Sequence, residues 1–174
     1  MGNVWFTSDS HFFHENFLKF TDNDGNLIRP FADVGEMNQR IIDGWNEVIK
    51  DGDKVYHLGD VTFKYGPAFD HVMSCLKGQK RLVVGNHDLI LPALLKHFKK
   101  SFICRFFGQW GFVITHIPIS QANFGRKCVL NVHGHTHQTL MKGPYLNVCV
   151  EPTNYRPVHL DEILTEVAKW RKAD

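Results

Sequence analysis

Short apolar runs broken by polar turns divide the chain into an α/β front half and a mainly β back half. Residues 4–7, VWFT, read as a strand. Asp33 with Glu36 three residues on forms a box-like helix start, and Met37, Ile41, Trp45, Val48 and Ile49 fall near one face of the helix that follows. Residues 54–58 give the next strand, 67–75 a helix, 81–84 a third strand and 91–98 a short helix. After that the spacing changes to strands at 102–107, 112–115, 128–132 and 146–150, the first two separated by Gly108 and Gly111 in a hairpin-like arrangement. A last helix carries Ile163, Leu164, Val167 and Trp170 on one stripe, with Asp161 as its expected cap. This order predicts two packed sheets with helices outside, in a single domain spanning residues 1–174.

Composition narrows the function more than the fold. Hydrophobic residues make up 43% of 174, as expected for an ordinary globular chain with a real core. Twenty basic residues against 18 acidic ones give a net charge of +2, with no strong nucleic-acid signature and none for a membrane surface. Aromatic residues are 13% of the chain, but most fall on core-facing positions, which does not favour base stacking. Cys75, Cys104, Cys128 and Cys149 are widely spaced and form no C-x-x-C pair, so reduced thiols and a cytoplasmic setting are expected. The sequence shows no secretory-signal pattern and no run long and apolar enough to cross a membrane. Only the 11 histidines stand out.

Their placement carries the chemistry. Asp9-Ser10-His11 follows the first strand, Gly59-Asp60 the second and Gly85-Asn86-His87-Asp88 the third; His116 and Gly134-His135-Thr136-His137 follow two of the later ones. Carboxyl ends of strands in an α/β sheet are where ligand sites form, so the five groups can meet on one rim. Residues two apart in extended chain point the same way, which would aim Asp9 with His11 and His135 with His137. Gly59, Gly85 and Gly134 permit sharp turns and close backbone approach there. The donors Asp9, His11, Asp60, Asn86, His116, His135 and His137 mix imidazole with oxygen, which suits manganese, nickel, zinc or iron. They are too many for one tetrahedral ion and enough for two divalent ions if one carboxylate bridges.

These five motifs, in this order, resemble the calcineurin-like metallophosphoesterase family, marked by D-x-H, G-D, G-N-H-D/E, a lone H and G-H-x-H. The runs SDSHFFHENFLKF, RPFADVGEMNQRIIDGWNEVI and VYHLGD look similar to its compact, capless prokaryotic and phage-type subgroup. The resemblance implies a four-layer αββα sandwich of two mixed sheets flanked by helices. It also implies one ion on Asp9, His11, Asp60 and His137, and a second on Asp60, Asn86, His116 and His135, with Asp60 bridging. The implied reaction is hydrolysis of a small phosphate ester by attack of a metal-bound hydroxide. In it His87 would face the substrate, stabilising phosphoryl oxygens or protonating the leaving group, with Asp88 orienting its ring. Cys149 stands where the family pattern leads one to expect glycine; it is not expected to touch the ligands.

Other polar residues divide between site and surface. His14 is a candidate phosphate contact and equally a helix cap; Arg126, with Lys127 in the 117–127 loop, is a candidate anion contact and equally part of a solvated turn. Arg29 could reach a phosphate but is expected to be an ordinary surface arginine, and His57 a hydrogen-bonded core histidine rather than a support for the metal ligands. His71, His97 and His159 are expected to be solvated or structural. A small capless site should be open, which leans the expected substrate towards phosphodiesters or nucleotide-type esters. The alternatives are a phosphomonoesterase and a non-catalytic metal-binding scaffold of the same fold. Oligomeric state is not legible in the sequence.

Overall fold

The computed structural model describes residues 2–172. In chain order the elements are β1 (Val4–Thr7), α1 (Val34–Val48), β2 (Lys54–His57), α2 (Pro67–Cys75), β3 (Gln79–Val83), α3 (Pro92–Leu95), β4 (Ser101–Phe102), β5 (Cys104–Phe107), β6 (Phe112–Thr115), β7 (Leu130–His133), β8 (Tyr145–Asn147), β9 (Val158–His159) and α4 (Leu160–Trp170). One sheet runs β4-β3-β2-β1-β9, the other β5-β6-β7-β8. Both are mixed: β1 to β4 pair in parallel and β9 runs antiparallel to β1, while β6 to β8 are parallel and β5 is antiparallel to β6.

Two cores hold the layers together. Met37, Ile41 and Trp45 of α1 and Phe69, Val72 and Met73 of α2 pack with Val55 and Leu82 on the outer face of the first sheet. Phe6, Tyr56 and Val83 meet Phe107, Phe112, Ile114, Leu130 and Val132 between the sheets, joined by Ile163 and Val167 of α4. α4 touches β1, β9 and β7, which places it across the gap between the sheets. The outer face of the second sheet is covered more thinly, by the crossover after β6 with a short 3-10 turn at Gln121–Asn123 and the buried Phe124. The expected α/β sandwich of two mixed sheets is therefore present, with a sparse fourth layer.

Local chemistry accounts for the element ends and for the differences from expectation. Asp33 accepts the Glu36 N–H at 2.9 Å to start α1, while Glu36 reaches back to the Ala32 N–H at 2.7 Å. α4 starts two residues earlier than expected: His159, not Asp161, is its cap, and Glu162 accepts the His159 N–H at 2.9 Å. The single strand expected over 102–107 is two, because the chain changes sheets at Ile103: Phe102 pairs with Val83, and Cys104 with Thr115. The strand expected over 146–150 ends at Asn147; the next residues pass from the second sheet (Val148 N–H to His133 carbonyl) to the first (Val150 N–H to Ser8 carbonyl). The helix expected over 91–98 is regular only over Pro92–Leu95. All four cysteines are free thiols, and among the described residues no helix is long and apolar enough to cross a membrane.

Candidate metal centre

Parallel pairing brings the carboxyl ends of β1, β2 and β3 to the same edge, and those of β6 and β7 with them. The loops that follow are laced together by backbone bonds: Asp9 N–H to the Gly59 carbonyl and His11 N–H to the Asp60 carbonyl at 3.0 Å, and Gly134 N–H to the His116 carbonyl at 2.9 Å. The donors are not aimed by extended chain, as the spacing suggested. Asp9, His11, Asp60, His135 and His137 all have positive φ, between 46° and 69°. Left-handed backbone at non-glycine residues costs on the order of 1 kcal/mol or more each and persists where the surroundings impose it. Gly59 has φ +99°, and a Cβ there would lie 2.5 Å from the Gly85 nitrogen; one on Gly134 would lie 2.0 Å from Ser8 Oγ. The glycines thus let the loops close on one another.

The result is two clusters. Asp9, His11 and His137 offer ligand atoms within 4.8 Å of one another, as do Asp60, His116 and His135. Asp60 Oδ2 stands between them, 3.4 Å from His116 Nε2 and 3.7 Å from His11 Nε2. Asn86 Oδ1 joins the second cluster, 2.8 Å from His116 Nε2 and 3.0 Å from His135 Nδ1. His116 Nδ1 lies 2.7 Å from the Leu58 carbonyl and His137 Nδ1 3.1 Å from Glu151 Oε1, which leaves Nε2 of each ring facing inward.

Two features show that these residues fit a divalent cation. Asp9 Oδ1 and His11 Nε2 are buried polar atoms without a hydrogen-bond partner, an arrangement that costs stability unless something electropositive satisfies it. The charge states also suit it. Burial works against a charged Asp9, but the His11 ring 3.5 Å away and the fields of His116 and His137 outweigh it and hold the carboxyl far below its usual range. Burial likewise opposes ionised Asp60, and the His116 bond prevails, so that its pKa too is lowered. Burial lowers His11 and His135, keeping imidazole lone pairs free. On His116 burial is overcome by Asp60 and Asp9, and its basicity rises.

The remaining sequence candidates separate. His87 is exposed at the rim, its ring 5.9 Å from that of His11, with its backbone N–H on Asp60 Oδ1 at 2.8 Å. Asp88 does not orient the His87 ring: its carboxylate accepts the N–H groups of Asp60, Gly85 and Val61, each at 2.9 Å, and so fixes the loops. His14 stands at the start of a 3-10 turn without a side-chain cap bond, and its ring lies tilted by 39° against Phe63, centroids 3.9 Å apart, beside His11. Arg126 is not among the residues gathered at the centre. Its neighbours return to the opposite end of the sheet, where Lys127 lies over Gly108 and the Val129 N–H meets the Gly111 carbonyl, away from the His116 end of β6. His57 is the expected core histidine, bonded to Ser10 Oγ at 2.9 Å and to the Gly59 N–H at 3.2 Å.

Three residues that touch the centre were not expected there. Arg29 is fully buried, not a surface residue. Its guanidinium donates to the Asp9 carbonyl at 2.6 Å, the Ser10 carbonyl at 2.8 Å and Glu151 Oε1 at 2.6 and 2.9 Å. Glu151 in turn holds His137; burial opposes its charge, but Arg29 and His137 keep its carboxyl below the usual range. Cys149 does reach a candidate ligand, its Sγ 3.2 Å from Asp9 Oδ2, because the crossing from β8 to β1 carries it there. The one sequence signal was a glutamate closing the apolar run NVCV.

Comparison with known proteins agrees with this picture. A family model described as the calcineurin-like phosphoesterase superfamily domain matches residues 3–152. The uncharacterized protein MJ1445 of Methanocaldococcus jannaschii is 31% identical over 181 residues, covering 98% of this chain and 94% of that protein. The gene 66 protein of Mycobacterium phage D29 is 25% identical over 190 residues, covering 92% and 87%. The crystal structure of AQ665, a protein of unknown function from Aquifex aeolicus, shares the fold with a TM-score of 0.72 at 24% identity, covering 94% of this chain and 98% of that one.

Proposed function

From the premise that the chain belongs to the calcineurin-like phosphoesterase superfamily, we propose that it is a phosphoesterase with a two-cation centre, hydrolysing small phosphate esters with a lean towards diesters. The observation that carries this reading is Asp60 Oδ2 between two histidine-carboxylate clusters. Asp9, His11 and His137 would hold one cation, Asn86, His116 and His135 the other, and Asp60 both. Bound there, two divalent cations supply Lewis acidity to phosphoryl oxygens and acidify the attacking water.

The chain's own residues do the rest. Asp60 is held by its neighbours' backbone: Asp88 accepts its N–H, and its Oδ1 accepts that of His87. The same bond fixes His87 at the rim, where its ring can donate to a phosphoryl oxygen or to the departing alkoxide. Asn86 and His87 are exposed, and this open rim supports a substrate with a second ester group. The test is turnover of bis(p-nitrophenyl) phosphate and p-nitrophenyl phosphate after separate loading with manganese, nickel and zinc. Diester turnover that falls at least about a hundredfold in His87→Ala is expected. Monoester turnover alone would move the reading to phosphatase. Two bound ions with no turnover of either would favour the scaffold.

A further inference from the structure

Beside the second histidine cluster lies a groove of about 470 Å³ that the proposed chemistry does not use. Asn86 and His116 line it beside the second cluster, and Val84, Ile103, Ile117 and Ile119 make up most of the rest, with Gly85, Cys104 and Thr115. It exists because the chain changes sheets at Ile103, parting β4 from β5 at the site end. Ile103 is 75% exposed and Ile117 50%, large apolar side chains in water at the edge of a polar site. Scattered exposed hydrophobics need no explanation, but a concave set continuous with a reactive centre does.

The lining also says what does not bind there. Among the described residues it carries no Asp, Glu, Lys or Arg side chain. Thr115 is part of the lining, and its hydroxyl is already engaged, 3.0 Å from Asn131 Nδ2. A sugar or a second phosphate would leave hydroxyls or charges unpaired against these walls, whereas an alkyl group would shed water without losing a hydrogen bond. Another copy of the chain is a weaker occupant, because the groove runs on to Asn86 and His116 of the second cluster.

We infer that this groove is a substrate subsite for the aliphatic ester group of a phosphodiester, so that the protein selects alkyl phosphodiesters over equally small polar ones. The inference rests on the phosphoesterase reading and narrows its substrate class. The test is the series methyl, butyl, hexyl and octyl p-nitrophenyl phosphate with manganese-loaded protein, in which water replaces nitrophenolate at phosphorus. kcat/KM should rise about threefold for each methylene that enters the groove and then level off. In Ile103→Ser, and separately in Ile117→Ser, the octyl-to-methyl ratio should collapse towards one. Alkylphosphonates of the same lengths, titrated calorimetrically, give the same slope as affinity without turnover. A chain-length slope in phosphonate affinity with no turnover would refute catalysis and keep the subsite. Turnover with no slope, or a slope unchanged in both variants, would overturn the subsite and keep catalysis. A dimer that dissociates in Ile103→Ser with the ratio intact would assign the groove to a second copy instead.

Discussion

Replacing Arg29 by methionine keeps an unbranched side chain and removes the guanidinium, which lies over the Phe17 ring, 4.1 Å from its centroid. The Asp9 and Ser10 carbonyls then lose the guanidinium N–H groups, and Glu151 Oε1 is left with His137 Nδ1 alone at 3.1 Å. Glu151 is 5% exposed at its side chain, and its Oε2 already lacks a partner, so water offers little relief. Breaking a buried ion pair from one side costs roughly 3–5 kcal/mol, and each orphaned buried carbonyl about 1–3 kcal/mol more, less than additively. We expect a loss of about 4 kcal/mol, a large part of the roughly 5–15 kcal/mol that a domain has. The assay is urea unfolding followed by circular dichroism in chelator, so that metal binding does not contribute. The double variant Arg29→Met with Glu151→Leu should recover about 2 kcal/mol, because it removes the stranded charge along with its partner. A single-variant loss below about 1 kcal/mol, or a double variant no more stable than the single, would refute the reasoning.

Two further perturbations probe the loops around the centre. Gly134→Ala puts a Cβ 2.0 Å from Ser8 Oγ and 2.4 Å from Asp9 Oδ2, so manganese affinity by calorimetry should fall about 10- to 100-fold; unchanged affinity would mean that the loops have slack. His57 is buried, and desolvation lowers its pKa to about 4 from 6.5, so below pH 6.5 the unfolded chain takes up a proton that the fold refuses. Stability should therefore be level in this respect above pH 6.5 and fall by about 3 kcal/mol as pH drops towards 4. His57→Gln should lack that component in urea unfolding at several pH values, and an identical pH slope in both proteins would contradict it.

The two candidate ligand clusters were legible because their residues follow strand ends, and parallel pairing of β1 to β3 and of β6 to β7 carries strand ends to a common edge without further information. What supports them was not. Arg29 and Glu151 are 122 residues apart in sequence, and a lone arginine before proline has the local pattern of a surface residue. Cys149 meets Asp9 only because the chain leaves one sheet for the other there, an event that hydrophobic alternation does not encode. The same blindness fused β4 with β5 and hid the groove at Ile103. Asp88 was placed near its true position with the wrong partner, since a carboxylate beside a histidine in sequence bonds whichever N–H groups the fold presents. The left-handed backbone at Asp9, His11, Asp60, His135 and His137 is imposed by the interlocked loops, against local preference.

The central claim is that two cations share Asp60, and manganese serves as a direct probe of it. The chain should be loaded with manganese, its bound metal counted, and its low-temperature electron paramagnetic resonance spectrum recorded beside that of Asp60→Asn. The account predicts two manganese ions per chain with the spectrum of an exchange-coupled pair, and loss of that coupling in the variant. One ion per chain, or two that remain magnetically independent in the wild type, would contradict it.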